Sequence, residues 1–224
     1  MPQLIAAALF FVGIHFVISG SRLRDSLVPR LGEKNFRAGF SLLSLFGLWW
    51  LAHAYRAAPY IETWGQLGWF KPVAALLMLP AFLLVVLGIA TPNPTVVGGE
   101  KALGQPAQDI LRITRHPFLW GISLWAATHL IANGDAAALV LFGSLLLLAL
   151  GGTISIDAKR LRLYGEDWEK FLLHTSNLPF LAIVQKRNVL AFKEIGWKRP
   201  ALAVFLYMAM LHFHTKLFGV SPLF

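Results

Sequence analysis

Apolar residues in this chain fall in long unbroken blocks, without the 3.6- or 2-residue stripes of elements that half face water. Six blocks stand out, at residues 3–20, 38–55, 69–90, 118–132, 136–156 and 200–218. A block of about eighteen or more apolar residues with few charges has the length of a membrane-crossing helix. The pattern predicts an all-α, polytopic membrane protein of about six transmembrane helices, forming a single domain over residues 1–224. The block at 118–132 is short and meets the next through Asn133-Gly134-Asp135, a tight turn signal, so the two are expected to form a helical hairpin.

Polar linkers separate the blocks, and their charges predict an orientation. All but three of the 20 basic residues (Arg56, Lys71 and Lys216) lie in the first, third and fifth linkers, at 21–37, 91–117 and 157–199. By the positive-inside rule these linkers are cytoplasmic and both termini lie outside. Trp49, Trp50, Tyr55, Trp64, Trp69, Phe70 and Trp120 fall near span ends, as interfacial aromatic belts require. Residues 157–177 alternate charges with Leu161, Leu163, Trp168, Phe171 and Leu172 at helical spacing. That spacing predicts an amphipathic cytoplasmic helix on the membrane face between spans five and six.

Composition agrees: the chain is 57% hydrophobic and 14% charged, with mean hydropathy +0.62, outside the soluble globular range. A net charge of +9 invites a nucleic-acid reading, but the cations flank apolar blocks and no soluble basic domain exists to form a groove. The partner implied is the lipid bilayer; oligomeric state is not legible. The first twenty residues lack the basic start of a secretory signal and read as the first span. With no cysteine, iron–sulfur clusters, thiolate haem ligation and cysteine zinc sites are excluded.

Candidate chemistry lies with histidine. Of seven, His15, His53, His129, His212 and His214 fall inside apolar blocks, where an ionisable group is costly and marks a functional site by default. The alternative for any one of them is a neutral imidazole bonded to a neighbouring helix as packing glue. His53, His129 and His212 lie roughly 18–24 Å from the inner ends of their spans, at one level in the outer half, and His15 about 10 Å from that end. Neutral imidazole ligates haem iron, zinc or copper. No span carries a carboxylate, so two histidines from different helices gripping one haem suit this interior better than a zinc cage or a di-iron site; proton relay is the other option.

The segment Arg112-Ile113-Thr114-Arg115-His116-Pro117-Phe118-Leu119-Trp120-Gly121 is the strongest local pattern. Pro117 favours the first turn of span four, where its missing N–H costs nothing. Arg115 and His116 beside an unsatisfied helix N-terminus are placed to hold an anion, or to serve as a basic interfacial anchor. Asp157, Lys159 and Arg160 follow span five on the same side, either facing that corner or solvated.

Arg115-His116-Pro117-x-x-x-Gly121, Trp125, His129-x-x-x-Asn133-Gly134-Asp135, Asp157-x-Lys159-Arg160, Gly165-x-x-Trp168 and Thr175-Ser176-x-x-Pro179-Phe180 together resemble the NnrU family. His15 with Ser19-Gly20-x-Arg22, and Ala52-His53, extend the resemblance over essentially the whole chain. It implies a multi-pass protein of the bacterial inner membrane with periplasmic termini, linked to nitric-oxide metabolism and denitrification. The family also includes zeta-carotene isomerases, membrane enzymes using haem b held by two histidines, one of which lets go to isomerise a lipophilic polyene. By position, the resemblance puts haem ligands and catalytic residues on His15 and His129, with further cofactor-binding residues on His53, His116 and Arg115. One recurrent histidine of those enzymes has no counterpart here, where the chain reads Leu103-Gly104-Gln105-Pro106. The Arg-His-Pro corner also resembles membrane methyltransferases that hold S-adenosylmethionine; the basic run Lys159, Arg160 and Arg162 is a poor partner for its sulfonium. A third reading is a non-enzymatic assembly factor for respiratory complexes. Depth pairs His129 with His53 or His212, and resemblance pairs it with His15.

Overall fold

In a computed structural model that describes residues 1–96 and 98–223, every named element is helical; the described residues hold no strand, only an isolated bridge between Glu62 and Asp135. Helix α1 (Pro2–Gly13) passes directly into a π-helical stretch (Ile14–Ser19), and Ser21 caps the short α2 (Arg22–Leu31) by accepting from Leu23 N. The remaining long helices are α3 (Glu33–Arg56), α4 (Lys71–Ala90), α5 (Pro117–Asn133), α6 (Ala136–Tyr164) and, after the short α7 (Glu166–His174), α8 (Leu181–Val184) and α9 (Phe192–Ile195), the terminal α10 (Lys198–Phe218). Neighbours run in the order α3, α1, α6, α5, α4, α10, so α6 joins the N-terminal half to the C-terminal half.

Each apolar block is helical, but only four of the helical stretches are long and apolar enough to cross a membrane: Pro2–Ser19, Gly68–Ala90, Ala136–Tyr164 and Lys198–Phe218. The expectation of six is corrected at α3 and α5. Helix α5 has 17 residues, about 25 Å of rise against the roughly 30 Å of a hydrocarbon core. Helix α3 has 24 residues, but Ser41, Ser44, Trp49, Trp50 and His53 dilute its apolar run.

The α5–α6 hairpin forms as the Asn-Gly-Asp signal predicts. Gly134 takes the left-handed conformation (φ +58°), and Asp135 caps α6 by accepting from Ala137 N and Ala138 N, both at 2.9 Å. The 57–67 loop straps this turn: Thr63 N, Gly65 N and the Thr63 hydroxyl all donate to Gly134 O, and Trp64 Nε1 donates to Ile131 O. A Cβ at Gly134 would strike Gly65 O and the Trp64 ring, so both conformation and space demand glycine.

At the opposite end the three basic linkers are tied together. Arg162 pairs with Asp25, Arg37 with Glu100, and Arg112 with Glu194. The shared end deduced from charge is therefore real. The amphipathic helix is shorter than expected and turned differently. Residues 157–164 continue α6, Gly165 (φ +47°) breaks the helix, and the fully buried Trp168 of α7 packs with Phe171, Leu87, Ile110 and Leu111. Its apolar face thus meets protein, because the 107–111 loop and the end of α4 lie beneath it.

Candidate functional site

The Arg-His-Pro segment folds into a closed polar corner at the linker-rich end. Pro117 opens α5, and the preceding His116 is 1% exposed. His116 Nε2–H donates to Asp157 Oδ1 at 2.7 Å, while Arg115 grips the same carboxylate through Nε (2.9 Å) and Nη2. The anion that Arg115 and His116 were expected to hold is therefore the chain's own Asp157. His116 Nδ1 is buried with no hydrogen-bond partner, which suits an unprotonated ring nitrogen far better than an N–H. Burial pushes the His116 pKa below its usual value, and the hydrogen bond it donates to Asp157 only partly opposes this.

Around the corner, the Thr175–Ser176 motif acts as a latch. Arg115 N donates to Ser176 O, Thr114 Oγ1 and Trp120 Nε1 both donate to Asn177 O, and Asn177 Nδ2 donates to Thr153 Oγ1 on α6. Gly121 lets α5 approach α4, since a Cβ there would collide with Val85 and Ala81 O. The family-like motif residues here are explained by packing and polar satisfaction.

His15 and His129 sit in a different chemical setting. In each, the ring nitrogen Nδ1 lies within bonding distance of the carbonyl one turn earlier: Phe11 O at 2.7 Å and Trp125 O at 2.9 Å. A carbonyl only accepts, so Nδ1 carries the proton and Nε2 keeps its lone pair. This is the tautomer and the second-partner bond that metal-ligating imidazoles use. Both rings are half-buried among aromatics: His15 against Phe11 and Phe40, His129 against Trp125 and Phe142.

The two rings occupy separate seams of α6. Phe142 meets His129 toward the N-terminal end of α6, and Phe16, next to His15, lies against Gly151. Nine residues separate those positions (142 to 151), about 13 Å along the helix axis. Helical side chains lean toward the N-terminus, and α1 and α5 run oppositely in depth. The two side chains therefore lean in opposite directions along the shared α6.

His53 and His212 share His129's predicted depth but are exposed on the outside of the bundle, with His53 stacked on Trp49 at 5.6 Å and His212 beside Phe213. The structure does not bring them to His129. His214 is closer, half-buried, and bonded through Nδ1 to Val220 O. The sequence reading missed Phe40 and Phe142 as walls, and it missed the π-helix that begins beside His15, closed by Gly20 N donating to His15 O at 2.8 Å. Isolated π-helical turns of this kind gather at functional sites.

Described residues whose named elements are all helical, four of them apolar and of crossing length, define a class of membrane-associated helical protein. Within it, the family model described as NnrU protein matches residues 3–222, and the chain belongs to the NnrU family. It is similar to the chloroplastic 15-cis-zeta-carotene isomerase of Arabidopsis thaliana, 27% identical over 95% of this chain and 59% of that protein. The enzyme of the same name from Zea mays is 25% identical over 89% of this chain and 56% of its own length. The chain thus spans a little under three fifths of these relatives. No solved structure matches.

Proposed function

We propose that this chain is an inner-membrane protein that holds haem b between His15 and His129 and uses it on a lipophilic polyene, with the basic linkers cytoplasmic and both termini periplasmic. The observation that carries the reading is the shared tautomer: each ring spends Nδ1–H on its own helix and keeps an Nε2 lone pair inside an apolar, aromatic wall. Haem held by these two residues would supply a Lewis-acidic, redox-active iron able to polarise a double bond.

The chain's residues divide that task unequally. His129 lies in the regular α5, and its carbonyl is held by Asn133 Nδ2 at 2.7 Å, so it would be the more rigidly placed of the two residues holding the group. His15 lies in the π-helical stretch, an irregular backbone of the kind that gathers at functional sites, so it would be the more labile of the two holding residues. Phe40 and Phe142 exclude water from the two rings and offer apolar surface to a polyene. The cytoplasmic corner is not a competing S-adenosylmethionine site in this reading, because Arg115 and His116 are both spent on Asp157.

The test uses the full chain, purified in detergent from haem-replete cells and kept anaerobic, with 15-cis-zeta-carotene as the probe. Conversion at the central double bond in the reduced protein, and little in the oxidised one, is the expected result. Haem-loaded protein that leaves the cis isomer untouched in both states would sink the isomerase chemistry.

A further inference from the structure

Below His15, at the linker-rich end, a cavity of about 90 Å³ lies between α3, α6, the end of the π-helix and the 99–102 turn. Its wall carries Arg24, Arg37, Lys159 and Arg160 against only Glu33 and Glu100. The two carboxylates are shared out: Glu33 takes Arg24 (2.7 Å) and Arg37 (2.6 Å), and Glu100 takes Arg37 (3.0 Å) and Arg160 (3.3 Å). Lys159 makes no ion pair among the described residues, and its bond to Ser19 O is long at 3.4 Å. The Arg160 side chain is 7% exposed, yet its Nε is buried without a partner. Four cations against two carboxylates leave a surplus of two positive charges in a recess the size of a small ion.

Unpaired charge out of water is costly unless a counter-charge completes it. A planar guanidinium beside an ammonium matches the oxygens of one phosphate. We infer that this cavity binds a single phosphate group, held by Lys159 and Arg160 with Arg24 and Arg37 at its rim. Depth suggests its source. Arg160 lies 24 residues beyond Ala136, about 36 Å along α6, past a hydrocarbon core of roughly 30 Å and at headgroup level. Two residues before Ser19 and five before Lys159, both of which line the cavity, Val17 and Ile154 are 58% and 68% exposed, apolar surface available to acyl chains. A phospholipid headgroup therefore fits better than free phosphate, given the membrane orientation proposed above; the phosphate site itself needs neither that orientation nor haem.

The experiment follows the unfolding temperature of the delipidated full chain in non-ionic detergent by tryptophan fluorescence. The probes are a short-chain phosphatidic acid, diacylglycerol with the same chains, and inorganic phosphate at matched ionic strength. Phosphatidic acid should stabilise the protein and diacylglycerol should not. Lys159→Gln should raise the half-saturating concentration at least about tenfold, and Arg112→Gln, in a separate ion pair, should leave it unchanged. Should Lys159→Gln fail to fold, Arg37→Gln at the more exposed rim is read in its place. Equal response to inorganic phosphate makes the source free phosphate; response to the lipid alone makes it a headgroup. If neither phosphate probe stabilises the wild type, or the variant responds as the wild type does, the inference is wrong.

Discussion

At the linker-rich corner His116 is 1% exposed and gives its Nε2–H to Asp157, whereas His15 and His129 give Nδ1–H to their own helices and keep Nε2 free. Both settings bury an imidazole, but they use it differently. The corner closes a charge network that also consumes Arg115 and is latched by Asn177, so its histidine holds the fold. The pair on the π-helical stretch and α5 keeps unused acceptors in apolar surroundings, the feature on which the proposed ligand role rests. A histidine's place in the bilayer says little about its role; the partner of each ring nitrogen says much more.

The contrast can be broken most forcefully at Asp157. Asp157→Ala leaves Arg115 and His116 without their shared carboxylate and should cost about 3–5 kcal/mol, read as a large fall in unfolding temperature and yield. In haem-free protein, His15→Ala or His129→Ala removes one hydrogen bond and part of a ring contact, and should cost only about 1–2 kcal/mol. If the seam variants proved as damaging as Asp157→Ala, the division between holding and binding histidines would fail.

The pH dependence sharpens the same contrast. Because the native His116 pKa lies below the unfolded value of about 6.5, neither state is charged well above that pH and the contribution is complete. As pH falls through about 6.5, the unfolded chain takes up a proton that the native corner refuses, so stability declines until the native pKa is reached. Unfolding temperatures between about pH 8 and pH 5 should fall less steeply in His116→Gln than in the wild type. The smallest effect is expected at Arg112–Glu194, a partly exposed pair in which the Arg112 guanidinium holds the Glu194 carboxyl at a pKa of about 2. Glu194→Gln should cost no more than about 1 kcal/mol, and less at high salt.

Much of the fold could be read from the chain, because block length and charge placement report directly on bilayer geometry. The hairpin was legible at Asn133-Gly134-Asp135 because each residue there has a local job in ending one helix and capping the next. The count of crossing helices was not, since α3 and α5 lie close to the limits of apolarity and length. The destination of α7's apolar face was also hidden: Trp168 and Phe171 show that a face is buried, not whether lipid or protein covers it. At the site, Arg115-His116 was visible as a motif, but its partner is 41 to 42 residues away, and only the packing of α5 on α6 decides that Asp157 reaches it. Ring tautomers and the π-helix depend on backbone bonds that no residue type announces, and equal depth could not separate the outward-facing His53 and His212 from His129.

The most direct test of the central claim is the visible spectrum of the purified protein, oxidised and after dithionite. The account predicts six-coordinate haem in the wild type, a five-coordinate spectrum in His15→Ala, loss of colour in His129→Ala, and unchanged spectra in His53→Ala and His212→Ala. A colourless wild type from haem-replete cells, or spectra altered by His53→Ala or His212→Ala but not by the seam variants, would contradict it.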